Sequence, residues 1–365
     1  MGKVFIYGNW QYLSVMGRWS HRFFETPLNA GLGPHSPRSV EEDTPEEFGN
    51  GGPGEEIIRY SKIAPDSVNR LLYGHRPVGY GADNRYLSEL NTAWDFEEGD
   101  PFNSAHFFPP DGRLYVGHNS KGEVSSYKGP VSGTRKGQKG ATFYHFSDDW
   151  TKGVTDLAVG QSGETKKFFA LSGHSHTSGN RLLFAGTMTT PGTGAGPTVD
   201  PTIEVHGNSR FVAVDPSNSY VFIGGDRTLQ RLNLMSPSGS LVDFPGVGTL
   251  CCPPTFCEKD GSVYCCTVEN NNGQLQAVRY KTTDPSSRKP HTLTSTPSIS
   301  AGAAVNPTTQ NLWVIQAKNV TTLNLFEVDP GTLSVLKHHT QAIPVEPDRL
   351  DQWMTNSCYT AIFAP

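Results

Sequence analysis

One two-strand pattern recurs along the chain. It is a short apolar strand, a Pro or small residue, a polar turn of Asp, Asn, Gly or Ser, and a second strand rich in Leu, Val, Tyr and Phe. Clear copies are Ala105–Gly117, Phe211–Gly224 and Ala303–Ile315. Weaker ones are Phe256–Cys266, Phe168–Phe184 with a longer turn through Gly173–Asn180, and Ile63–Gly74. Each copy reads as a β-hairpin by its alternation and turn chemistry. A third, alternating strand follows several of them: Leu229–Leu234, Leu275–Tyr280 and Leu323–Val328. Three strands per repeat are readable, and a fourth is expected in the linking segments.

The most constraining copy is cut in two by the chain ends. Ala361-Ile362-Phe363-Ala364-Pro365 followed by Gly2-Lys3-Val4-Phe5-Ile6 imitates Ala105–Pro109 followed by Gly112–Val116. A circular array that pairs its first and last strands has no exposed sheet edge, which is how a β-propeller is closed, whereas an open solenoid protects its ends with atypical caps. The expected fold is therefore all-β: a single β-propeller domain over residues 1–365, closed by pairing of the N- and C-terminal strands. Seven repeats over 365 residues average about 52 residues each, near the blade lengths of ~40 to ~50 typical of propellers. Seven blades is the count, and six if Ile63–Gly74 is only a loop.

Composition agrees with this class. The 39 glycines and 27 prolines make frequent turns obligatory. Helices are expected only as one or two turns at Tyr86–Trp94 and Asp348–Met354. Ser20–Pro53, Gly/Pro-rich and carrying the acidic run Glu41–Glu47, reads as a long excursion. No apolar run approaches the ~20 residues of a membrane span. The net charge of −5 argues against a nucleic-acid partner, although a local basic patch such as Arg135–Lys139 escapes this test. The N-terminus shows no secretory signal, so a cytoplasmic location, or an assembly formed there, is expected.

Five of the six cysteines, Cys251, Cys252, Cys257, Cys265 and Cys266, fall within sixteen residues, with Cys358 apart. Adjacent pairs on a strand point to opposite faces and do not match zinc-ligand spacing, so Cys257, Cys265 and Cys266 are read as small apolar fillers on two strands joined by the turn Glu258–Ser262. No cofactor is expected. His174 and His176 alternate and would share a face of a strand, which makes them metal candidates, but the flanking Gly173 and Ser178-Gly179-Asn180 favour a solvated turn. His206 and Arg210 precede the strand at Phe211. Loops that enter an innermost propeller strand rim the central channel, so the pair is a candidate for proton transfer and carboxylate binding. No nucleophile elbow, Walker loop, zincin helix or dinucleotide fingerprint occurs.

The hairpins Phe211–Ile223 and Ala303–Ile315 resemble the repeats of seven-bladed propellers of the YVTN and lactonase type. The overall plan is similar to the muconate-lactonising and phosphogluconolactonase-like proteins, which are cytosolic single propellers. That resemblance implies general acid and base residues at a channel mouth, where His206 and Arg210 are the matching positions; Met16–Asp100 departs from the pattern. Two functions follow as expectations. One is a non-enzymatic interaction, attachment or structural module whose partner is another protein or a surface glycan. The other is a lactonase-like or muconate-lactonising-like enzyme acting on a small carboxylated substrate.

Overall fold

The computed structural model describes residues 102–118, 122–128, 136–147, 153–172, 179–188, 198–239, 241–268, 273–296, 300–319, 322–342 and 358–364. To these it adds the strand segments 3–11, 19–27, 36–40, 64–66, 71–73, 85–88 and 93–96. The described elements are all strands, gathered into sheets that are antiparallel except at one pairing, and they divide into two compact units: Met1–Arg59 with Gly246–Pro365, and Tyr60–Pro245.

In the first unit, β1 (Lys3–Gln11), β2 (Trp19–Pro27), β3 (Ser36–Val40) and β30 (Cys358–Ala364) form a sheet in the order β3-β2-β1-β30. Val4 lies opposite Phe363 and Tyr7 opposite Thr360, so the two halves of the split repeat are neighbouring strands. Both β2 and β3 fall within the segment read as an excursion. Its Gly/Pro content had masked two ordinary strands, and residues 41–53 lie outside the described residues. The same unit holds a sheet of β21 (Thr249–Leu250), β22 (Thr255–Cys257), β23 (Ser262–Val268), β24 (Leu275–Lys281) and β25 (Asp284–Thr294), in which β21 and β22 both pair with β23. Its last sheet runs β26 (Ser300–Val305), β27 (Leu312–Asn319), β28 (Thr322–Val328), β29 (Val335–Ala342) in order.

In the second unit, β4 (Ala64–Asp66), β5 (Leu71–Tyr73), β6 (Arg85–Ser88) and β7 (Ala93–Phe96) form one half of an eight-stranded sheet. The other half is β8 (Phe102–Phe108), β9 (Arg113–His118), β10 (Gly122–Lys128) and β11 (Lys136–Ser147). The halves pair where β11 runs parallel to β7, over two residue pairs. Where a helix was expected at Tyr86–Trp94, β6 and β7 pair instead, Tyr86 opposite Trp94. One or two helical turns cannot offset their nucleation cost, whereas a neighbouring strand supplies hydrogen bonds at once. The other expected helix, Asp348–Met354, lies outside the described residues. A second sheet holds β12 (Val154–Ser162), β13 (Thr165–Ser172), β14 (Arg181–Met188), β15 (Thr198–Val199) and β16 (Ile203–Val205). A third holds β17 (Ser209–Val214), β18 (Tyr220–Gly225), β19 (Leu229–Asn233) and β20 (Val242–Asp243).

The hairpin turns are built by short-range chemistry. Asp215 Oδ1 accepts the N–H groups of Ser219 and Tyr220 at 2.9 and 2.6 Å, and Asn306 Oδ1 accepts those of Thr308 and Thr309 at 2.8 and 3.2 Å. Such side-chain caps define Asx turns, and they explain why each copy carries Asp or Asn near the turn. A left-handed residue completes these turns, Asn218 at φ 54° and Gln310 at φ 62°, and in the Ala105–Gly117 copy the same place is taken by Gly112 at φ 63°, where there is no side chain to strain.

The cores lie between sheets. On β13, Phe168 and Ala170 pack toward Phe108, Tyr115 and Val124, while Phe169 and Leu171 pack toward Val212, Val221 and Ile223. Alternate residues thus serve opposite neighbours, and all four are fully buried. Burying one such Phe is worth about 1.5–3 kcal/mol. A Cβ on Gly160 would stand 2.4 Å from Leu234 Cδ1 and 2.9 Å from Val214 Cγ1, so a side chain there would force those neighbours to move. In the first unit, Cys252, Cys257, Tyr264 and Cys266 pack with Leu312, Val314 and Phe326 of the next sheet.

Candidate functional site

His206 sits in the turn between β16 and β17, at the end of the second unit's sheets where β12 and β17 begin. Three neighbours hold that turn. Gln230 Oε1 accepts the His206 N–H at 3.1 Å while its Nε2 donates to Asp243 Oδ1 at 2.9 Å. Arg181 Nε donates to the Gly207 carbonyl at 3.2 Å, and the same guanidinium reaches the Ser172 carbonyl at 3.3 Å. Asp226 N–H donates to the Asn208 carbonyl at 3.0 Å. A side chain at Gly207 would lie 1.8 Å from the Gly179 carbonyl oxygen, so the turn is packed against backbone.

The imidazole itself is exposed, and its Nδ1 accepts the Asn208 N–H at 3.2 Å. A backbone N–H only donates, so Nδ1 is unprotonated and the neutral ring carries its proton on Nε2. In this arrangement the outward nitrogen faces solvent as a donor. Arg210 is half-buried at a bulge of β17, where Ser209 pairs with Gly225 and Phe211 with Gly224. His206 thus lies in the turn and Arg210 in the strand that the turn leads into. His174 and His176 lie outside the described residues.

A second polar group was not visible in the sequence. His118, Glu123 and His145 occupy one row across β9, β10 and β11. The Ser125 hydroxyl donates to Glu123 Oε1 at 3.1 Å, His118 Nε2 lies 2.9 Å from Ser125 Oγ, and His145 Nδ1 is 3.6 Å from Glu123 Oε2. Residue types match a Ser–His–Glu triad, but the roles do not. The carboxylate holds the serine rather than the far ring nitrogen of the histidine, and Ser125 and His118 are both 0% exposed. His118, Ser125 and Glu123 form a buried network, with His145 exposed at its edge. Register alone would have found His118 opposite Glu123, but the three register shifts between β10 and β11 hide His145.

The sequence-predicted cysteine hairpin is present: β22 and β23 pair with Phe256 opposite Val263 and Cys257 opposite Ser262, and Cys257, Cys265 and Cys266 are buried free thiols. Among the described residues, no group of three or more His, Cys, Asp or Glu side chains is arranged to hold a metal ion, and no helix is long and apolar enough to cross a membrane.

No family model and no curated protein matches the chain. Solved structures do. A periplasmic gluconolactonase of Pseudomonas aeruginosa is similar at TM-score 0.58 and 10% identity over 99% of both chains. A functionally unknown protein from Desulfotomaculum acetoxidans DSM 771 is similar at TM-score 0.53 and 12% identity, over 80% of this chain and 83% of that one. A chain of a nidogen/laminin complex reaches TM-score 0.47 at 10% identity, over 99% of this chain and 98% of that one, too low a score to carry weight. At these identities the first two bear on fold alone, and with the successive four-stranded antiparallel sheets they support a β-propeller.

Proposed function

We propose that the chain is a non-enzymatic β-propeller, one domain over residues 1–365, that serves as an interaction, attachment or structural module in a larger assembly, with another protein or a surface glycan as partner. Seven blades follow if the eight-stranded sheet is divided at the short parallel contact between β7 and β11. Closure within the blade that both chain ends build is supported by the pairing of β1 with β30. The observation that carries the non-enzymatic reading is the engagement of His206 Nδ1 by the Asn208 N–H, which leaves the strongest sequence candidate for a general base with only a donor facing outward.

A lactonase-like enzyme is the second reading, favoured by the likeness in fold to the gluconolactonase over 99% of the chain. In it, His206 would transfer the proton and Arg210 would hold the substrate carboxylate. One comparison separates the two. The tagged full chain is recovered from its source cells and copurifying species are identified, alongside a variant lacking residues 41–53 and His206→Ala. The deletion spares β2 and β3. Loss of the partner on deletion, with retention in His206→Ala, is the expected result. Lactone hydrolysis or lactonisation that His206→Ala abolishes overturns it.

A further inference from the structure

The antiparallel register of β21 with β23, Thr249 opposite Val268 and Leu250 opposite Thr267, runs on by one more residue. The N–H of Cys251 donates to the carbonyl of Cys266 at 2.9 Å, which sets these two cysteines directly across from each other. Hydrogen-bonded partners in an antiparallel ladder have Cα atoms ~5.5 Å apart, inside the ~4.4–6.8 Å that a disulfide spans. Both side chains also meet the same apolar cluster. Cys266, 2% exposed, belongs to it; Cys251 packs against it and remains only partly buried. Cys251 is thus the more exposed residue of the pair.

We propose that Cys251 and Cys266 are a redox modification site that forms a reversible cross-strand disulfide, with a hydroperoxide as oxidant. The Cys251 thiolate attacks the peroxide, the O–O bond breaks, and hydroxide or alkoxide leaves, so that sulfur is oxidised to a sulfenic acid and the peroxide oxygen is reduced. The Cys266 sulfur then attacks the Cys251 sulfur. The S–S bond forms, the S–O bond breaks, and the hydroxyl departs as water with the proton of Cys266. Hydrogen bonds from Cys251 and Cys252, together with burial, hold the Cys266 thiol well above the ordinary thiol range, which disfavours it as the first nucleophile. Cys252, 1% exposed, is closed to the oxidant.

The test treats the folded full chain with hydrogen peroxide, alkylates the remaining thiols in urea, digests without reductant and maps the peptides by mass spectrometry. The expected product is a peptide joining Cys251 to Cys266, two hydrogens lighter than its parts, released by dithiothreitol, absent in Cys251→Ser and retained in Cys252→Ser. Alkylation of every thiol, a Cys252–Cys266 link in its place, or oxidation of Cys251 to sulfinic acid with Cys266 still alkylated overturns the proposal. The mapping of the unmutated chain decides the matter even if a serine variant does not fold.

Discussion

Asp156, on the first strand of one sheet, accepts the backbone N–H of Val212, on the first strand of the next, at 2.7 Å. Val212 pairs with Ile223 of β18 on one side only, so its N–H would otherwise face an open strand edge. The other carboxylate oxygen accepts the N–H of Leu157 at 2.9 Å. Asp156, 3% exposed, therefore seals an edge and ties two sheets. Asp156→Ala strands two buried donors and is expected to cost ~2–5 kcal/mol in urea unfolding, with Asp156→Asn losing about half as much. An unchanged midpoint in both variants would show that the two donors find other partners.

His206→Ala removes one exposed acceptor from a turn that Gln230, Arg181 and Asp226 hold independently. The expected stability loss is under ~1 kcal/mol by thermal unfolding. No small-molecule turnover is expected to change. A loss of lactone turnover by ~100-fold or more would assign His206 to catalysis.

Removing the last seven residues deletes most of β30, including the partners of Lys3 through Gly8 on β1. The melting temperature is expected to fall sharply, because the β1–β30 ladder is lost and the edge of β1 is uncovered. A melting curve that does not move would count against ring closure.

Burial, reinforced by Cys265, pushes the Tyr280 phenol up to about 12. In the unfolded chain a tyrosine titrates near ~10. The folded state binds this proton more tightly, so the contribution is complete below ~10 and is lost as pH rises through the folded value. Urea midpoints are expected to fall between neutral pH and pH ~11, less steeply in Tyr280→Phe than in the unmutated chain. Parallel slopes for the two proteins would remove Tyr280 as the cause.

Hairpins were legible because their causes are local. Asp215 meets its partners four and five residues on, and the apolar run Phe168–Leu171 announces a strand covered on both faces. The split repeat was legible for a related reason: the two ends spell one hairpin, and Val4 lies opposite Phe363. In Trp19–Pro27 and Ser36–Val40 the same signals were obscured by surrounding glycine and proline, and the strands were missed.

The amino-acid order by itself determined an all-β chain of repeated hairpins with its ends in one sheet, since alternation, Asx turns and buried thiols act over a few residues. Tertiary structure alone decided what the polar side chains do. Asp156 reaches Val212 across 56 positions, Glu123 meets His145 only beyond two of the register shifts that separate it from the Lys128 end of the ladder, and His206 spends its inner nitrogen on the turn that positions it. Each role depends on which backbone donor the packing of sheets brings within ~3 Å, and that distance is a property of the assembled fold rather than of any short stretch of sequence.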